Sequence, residues 1–296
     1  MESKEIVSMV LSIMPKTKEI LTNGNTAINE KEGIGNIVTA TDKKLEEYIK
    51  RMLLEKFPGS QVISEESAEE TKLDNNRNLK FIVDPLDGTT NYTNGWPHAI
   101  AIGIANSNDL EGSVIYDVLS SQIYFAIKGK GAFICDIDDI LKFKPITKPK
   151  YEIEDIKKAV ISYDTPYGAE AFKITREMMT LLYHSGASLK TVGPISLDVL
   201  KTALGRENRP NDYNNAVWHT EVRAWDLAAS TVILRELGGE IIGNDGKPLS
   251  LEKLTSPDER ISFMASGNSK MLEKLYNIYI KSQELARNPQ YSRDAR

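Results

Sequence analysis

Cysteine is nearly absent: the 296-residue chain holds one, Cys135, and only three histidines. A single cysteine excludes an intrachain disulfide and fits a reducing, cytoplasmic compartment. Within "GAFIC" it reads as a small buried hydrophobe rather than a reactive thiol. So few histidine and cysteine side chains argue against a His/Cys zinc cluster, and any metal must be held mainly by carboxylates. A basic excess is missing too. The net charge is −5, which argues against a broad nucleic-acid footprint but not against a small phosphorylated ligand, where local charge decides. No apolar run approaches the ~18 residues needed to cross a bilayer. The first twenty residues, "MESKEIVSMVLSIMPKTKEI", break their apolar positions with Ser and Lys, unlike a secretory leader. The expectation is a soluble cytoplasmic protein with no membrane or nucleic-acid partner.

What is present is an ordinary globular composition, 41% hydrophobic and 27% charged. Residues 4–22 carry Ile6, Val10, Ile13 and Met14 at helical spacing, which predicts one amphipathic helix. A polar loop rich in Gly and Asn follows. The next helix begins near "TATD", capped by Thr41 or Asp42. It runs through Leu45, Tyr48, Ile49, Met52 and Leu53, and stops at Pro58 and Gly59. Then the period changes. "QVIS", "KFIVD", "HAIAIGIAN", "GSVIYDV", "QIYFAIK" and "GAFICDI" predict consecutive antiparallel strands, with a hairpin turn at "KGKGAF". From about 150, strands alternate with helices around 168–184, 195–204, 226–237 and from 268. The expected organisation is an α+β half over 1–147, an α/β half over 148–285 and a polar tail over 286–296.

Three acidic stretches carry the chemistry. "FIVDPLDGTTN" sends a strand into Asp84 and Asp87, then into a Gly-Thr-Thr turn. The N–H groups of Gly88, Thr89 and Thr90 can point outward together at the start of a short helix, a ready anion site. "VISEES" puts Glu65 and Glu66 at a strand end, and "RAWDLAASTVILRELGGE" puts Asp226 at the N-cap of an apolar helix. Each stretch has a plain alternative: a surface turn, a solvated strand end, and a helix cap worth about 1 kcal/mol. Taken together, Glu65, Asp84, Asp87 and Asp226 bring a formal charge of −4 if they converge. Close like charges raise one another's pKa or demand cations. Hard oxygen donors favour Mg²⁺ or Mn²⁺.

With these residues in view, the chain resembles the inositol monophosphatase family, Mg²⁺-dependent and lithium-sensitive phosphatases related to fructose-1,6-bisphosphatase. "FIVDPLDGTTNY" and "WDLAASTVILRELGG" resemble its two signatures, and "VTATD" and "SEES" fit two further segments in order, over about residues 5–280. The resemblance implies a layered αβαβα sandwich, a homodimer, and two to three Mg²⁺ ions with Mn²⁺ as substitute. It implies that Glu65, Asp84 and the Leu86 carbonyl hold the first metal. Asp84, Asp87 and Asp226 hold the second, and a weaker third leans on Glu65. Thr89, oriented by Asp42, would aim or deprotonate the attacking water. Gly88 and Thr89 N–H groups would hold the phosphate, and Lys31 would sit near the metals. Aspartyl-phosphate phosphatases use Asp-x-Asp-Gly-Thr; the Asp-x-x-Asp-Gly-Thr spacing here argues against that covalent route.

The substrate pocket departs from the family. Its usual Gly-Thr-Ala or Gly-Ser-Ala is replaced by Gly193, Pro194 and Ile195 in "VGPIS". A family glutamate that binds a substrate hydroxyl aligns with His219, with Glu221 two residues on. The polar loop "GRENRPNDYNN" carries Arg206 and Arg209 and reads as solvated. Inositol phosphate, fructose-1,6-bisphosphate and other sugar phosphates are therefore open as substrates. Alternatives are a 3'(2'),5'-bisphosphate nucleotidase, an NADP phosphatase, or a non-catalytic metal- or phosphate-binding regulator.

Overall fold

A computed structural model describes residues 1–24, 28–30, 37–74, 77–164 and 169–287. The N-terminal part comprises α1 (Ser3–Leu11), α2 (Met14–Thr22), β1 (Ile28–Glu30), β2 (Ile37–Thr39), α3 (Ala40–Lys56), β3 (Gln61–Ser64), β4 (Lys80–Asp87) and α4 (Thr89–Thr93). A meander follows: β5 (Ala99–Ala105), β6 (Leu110–Asp117), β7 (Gln122–Ile127), β8 (Gly131–Asp136) and β9 (Asp139–Pro145). The remainder is β10 (Val160–Tyr163), α5 (Ala169–His184), β11 (Ser188–Lys190), α6 (Ile195–Asn208), β12 (Ala216–Val222), α7 (Ala224–Glu236), β13 (Glu240–Gly243), α8 (Leu251–Leu254), β14 (Ile261–Ser266) and α9 (Ser269–Arg287). No helix among the described residues is long and apolar enough to cross a membrane.

Five layers result. Helices α1–α3 pack on one face of a seven-stranded sheet of order β3-β4-β5-β6-β7-β8-β9. Helices α6 and α7 fill the space between its other face and a five-stranded sheet of order β11-β10-β12-β14-β13. Helices α5 and α9 cover the far side of that second sheet. Strand β5 explains the spacing of the inner layers. In "AIAIGIA", Ile100, Ile102 and Ile104 point to α1–α3, while Ala99, Ala101 and Ala105 point to α7. Each isoleucine removed from water contributes roughly 1.5–3 kcal/mol. The small face lets α7 come close: a Cβ on Gly103 would stand 2.7 Å from that of Ala228. That approach carries the first turn of α7 to the end of β4.

Four expectations change. The single helix over 4–22 is two helices, because Pro15 inside one continuous helix would lose a hydrogen bond and clash with the preceding turn. At the start of α2 its missing N–H costs nothing. The cap of α3 is Thr39, whose hydroxyl accepts from the Thr41 and Asp42 N–H groups. Part of the polar loop pairs as the β1–β2 ribbon. Strands β3 and β4 run parallel, unlike the antiparallel remainder of their sheet. The long connection between them gives the chain room to cross back.

Candidate active site

Strand β4 passes through Asp84 and ends at Asp87, with a break in its pairing to β5 between the two. Pro85 falls in that break, where it removes no ladder bond. The bulge bends the chain so that both aspartates face one point. Helix α7 supplies the third carboxylate. Its N-cap is Arg223, and Asp226 stands in the first turn, accepting from the Arg223 N–H at 2.7 Å. The expected N-cap role of Asp226 thus moves three residues upstream. Oxygens of Asp84, Asp87 and Asp226 all lie within 4.8 Å of one another.

Asp84 and Asp87 are buried and Asp226 is half-buried. Burial pushes the Asp84 carboxyl well above its usual value, and the charges of Glu65, Asp87 and Asp226 push it further. Burial raises Asp87 to about 7, although N–H donors from α6 pull it down. Asp226 is raised by burial and then by Asp87. Glu65 follows β3, and its charge is felt by all three aspartates because Ser64 pairs with Val83, one residue before Asp84. Crowded, buried carboxylates raise one another's pKa in this way, and a nearby cation would favour their charged forms.

The Gly-Thr-Thr turn lies directly behind. Gly88 adopts φ 88°, a left-handed conformation that L side chains resist, and α4 starts at Thr89. The Thr89 hydroxyl donates to Asp42 at 2.8 Å, with the Leu86 carbonyl 3.3 Å away. Asp42 is buried and its other oxygen accepts from the Thr39 N–H at 2.8 Å, so the cap of α3 fixes it. Thr90 follows, exposed, in the first turn of α4.

The substrate-side residues are scattered. Gly193 and Pro194 do reach the Gly-Thr-Thr turn and the helix behind it: a Cβ on Gly88 would meet Pro194 at 2.8 Å, and one on Gly193 would meet Asn91. Ile195 has another task, since its N–H and that of Ser196 donate to Asp87 at 3.3 and 2.8 Å. His219 departs from its expected place in the pocket. It is 1% exposed, its ring stacks on Phe263 with centroids 5.5 Å apart, and Nε2 lies 3.6 Å from Asp198. Its neighbours Val217 and Phe263 belong to the central core, and alternation turns His219 inward with them. Glu221 sits half-buried in a break of the β12–β14 pairing, at φ 59°. Lys31 lies outside the described residues. Arg209, expected in solvent, instead bonds Asp117 at 2.9 Å and Asp212 at 3.3 Å, and the buried Lys201 joins Asp212 at 3.1 Å. Ser196 was not foreseen, because no local pattern marks a helix N-terminus that serves a carboxylate over a hundred residues away.

Comparison with known proteins decides the family. The model of the inositol monophosphatase family matches residues 4–282. The chain belongs to the inositol monophosphatase family. That makes it a phosphoric monoester hydrolase of a metal-dependent family. It is 32% identical over 231 residues to human inositol monophosphatase 2, covering 76% of this chain and 74% of that protein. With the Nus factor SuhB of Pasteurella multocida it shares 31% identity over 216 residues, 71% and 72% of the two chains. A solved IMPase/NADP phosphatase, complexed with NADP and Ca²⁺, superposes with a TM-score of 0.77 at 22% identity. That alignment covers 94% of this chain and 96% of the other, and it shows the shared fold.

Proposed function

We propose that this chain is a Mg²⁺-dependent phosphomonoesterase for a small phosphorylated polyol or sugar. Compounds like inositol-1-phosphate come first, and fructose-1,6-bisphosphate is a further candidate. One observation carries the reading: three carboxylates within 4.8 Å beside a Thr89–Asp42 hydrogen bond of 2.8 Å. The donor set fits hard divalent ions, because every donor is an oxygen. Glu65, Asp84 and the Leu86 carbonyl would hold one ion. Asp84, Asp87 and Asp226 would hold a second, and Glu65 a weaker third; Mn²⁺ would substitute. When bound, such ions act as Lewis acids that lower the pKa of water and offset phosphate charge.

The chain's own groups supply the rest. Asp42 accepts the Thr89 proton, which leaves a lone pair on Thr89 Oγ1 to receive a proton from the attacking water and so orient it. N–H groups of Gly88, Thr89 and Thr90 would hold the phosphate oxygens as charge leaves the ester bond. Attack by water rather than by an aspartate agrees with the bonding of the carboxylates. Asp87 is occupied by two N–H donors from α6, Asp84 by the Leu86 N–H and Asp226 by the Arg223 N–H. A covalent phosphate on Asp87, both of whose oxygens accept, would break one of these bonds.

The halves 1–147 and 148–285 are retained as a division, with ligands drawn from each. A homodimer, lithium sensitivity and a cytoplasmic location follow family analogy and the single buried Cys135. A phosphate-release panel with saturating Mg²⁺ tests the reading, using inositol-1-phosphate, glucose-1-phosphate, fructose-1,6-bisphosphate, a 3',5'-bisphosphonucleotide and NADP. Turnover of at least one sugar or polyol ester is expected. Release from the nucleotides alone would favour the nucleotidase or NADP phosphatase alternative, and no release at all would sink the enzyme.

A further inference from the structure

Two arginines beside the carboxylates have unusual company. The last registered pair of β12 and β14 is Val222 with Ile261. The next residue outward on each line is an arginine, so Arg223 and Arg260 stand as cross-strand neighbours. Their guanidinium groups donate to backbone carbonyls: Arg223 to Asp258 at 2.5 Å, and Arg260 to Glu221 at 3.2 Å. Among the described residues neither has a carboxylate at ion-pair distance. Burial and then the charge of Arg260 hold Arg223 below its usual pKa, against the pull of Asp226, Asp258 and Glu65.

A structural clamp explains this poorly. One carbonyl needs one neutral donor, whereas each guanidinium offers five donors in a planar fork. The two cations stand close enough to repel each other, no described carboxylate sits within ion-pair distance of either fork, and an anion shared between the forks would relieve that repulsion. The Arg223 guanidinium also lies over the Trp225 ring, 5.9 Å from its centroid, which pre-orients the fork. Arg223 opens the turn that carries Asp226, so an anion held there sits beside the cluster that would take the scissile phosphate. The Arg223 backbone N–H already bonds Asp226, and the two sites share one turn of chain.

We propose that Arg223 and Arg260 form the seat for a second anionic group, a phosphate or a carboxylate, carried by the same small molecule as the phosphate to be cleaved. This rests on the phosphatase reading and narrows it to doubly charged esters. Arg223 is the inner, oriented partner. Arg260 is exposed, and the loop before β14 lets it follow substrates of different length.

Initial rates on the purified full-length chain with saturating Mg²⁺ test the seat. Two matched pairs serve: fructose-1,6-bisphosphate with fructose-1-phosphate, and 3'-phosphoadenosine-5'-phosphate with 3'-AMP. The quantity read is the ratio of kcat/KM for the doubly charged member to that for the singly charged one. Wild type should show a ratio well above one in at least one pair. Arg260→Gln should lower that ratio about tenfold or more, through KM, the loss of a charge-assisted hydrogen bond. Arg260→Lys should recover part of it, and Lys142→Gln, on the far edge of the large sheet, should not change it. Arg260 is exposed, so its replacement does not threaten folding. A ratio near one in both pairs, an equal loss on both members in Arg260→Gln, or the same drop in Lys142→Gln would overturn the proposal while leaving a working phosphatase. Absence of hydrolysis for all four compounds, with inositol-1-phosphate still turned over, would overturn the seat alone; silence on inositol-1-phosphate as well would remove the phosphatase reading and this one with it.

Discussion

Thr89 and Asp42 lie 47 positions apart in the chain and 2.8 Å apart in the fold. The cap of α3 does not depend on their bond, because Asp42 caps through its other oxygen and Thr39, but the bond does satisfy a buried carboxylate oxygen. Removing the hydroxyl in Thr89→Val should lower kcat roughly 10²–10⁴-fold in a protein that stays folded, at a stability cost of about 1–3 kcal/mol for the unsatisfied Asp42 oxygen. Thr89→Ser should keep most activity. A Thr89→Val protein that stays folded and keeps wild-type kcat would mark the residue as structural only. Asp42→Asn differs, since it weakens a buried cap as well, and it should cost about 1–3 kcal/mol of stability in a denaturant titration. At this scale the carboxylates were readable in the sequence because Asp84 and Asp87 share one short motif with the turn behind them. The partners that settle their charge were not. Asp87 is held by the N–H groups of Ile195 and Ser196, and a backbone donor leaves no mark on residue identity. His219 was misplaced for a related reason: its position along β12 is countable, but the direction it faces depends on the pairing with β14.

Elements carry these residues to one place by close approach rather than by long side chains. Helix α7 rests on the small face of β5, and Gly103 leaves no room for a Cβ beside Ala228. Gly103→Val should destabilise by about 1–3 kcal/mol through overpacking and should also weaken activation by Mg²⁺, because α7 carries Asp226. A melting curve paired with a Mg²⁺ activation curve checks both, and a variant that is less stable yet normal in Mg²⁺ demand would contradict the link. The alternation "AIAIGIA" announced a strand with one bulky and one small face. Its length and period were visible, whereas its sheet neighbours were not. Parallel pairing of β3 with β4 had one clue, the connection too long for a hairpin. The separation of α1 from α2 is written in Pro15, whose missing N–H outweighs the helical spacing of the apolar residues on either side.

Across the whole molecule, stability, protons and metal are linked. In the metal-free protein Asp87 binds its proton up to about pH 7, while in the unfolded chain it lets go near 3.8. Between those values the folded state holds more protons, so stability falls as pH rises. For Asp87 alone the loss is on the order of 4 kcal/mol, and the raised Asp84 and Asp226 act in the same direction. Divalent ions compete with those protons. Mg²⁺ should therefore raise the melting temperature more at pH 7.5 than at pH 5.5, and an equal or larger rise at pH 5.5 would contradict the linkage. The central claim is that these aspartates hold the ions that make the chain a phosphatase. Its most direct test is phosphate release as a function of Mg²⁺, for wild type and Asp87→Asn, after chelation. Wild type should be silent without metal and recover with Mg²⁺, and Asp87→Asn should stay about 10²-fold or more below it even at saturating Mg²⁺. Activity that ignores the chelator, or an Asp87→Asn enzyme with wild-type rate and Mg²⁺ demand, would contradict the account.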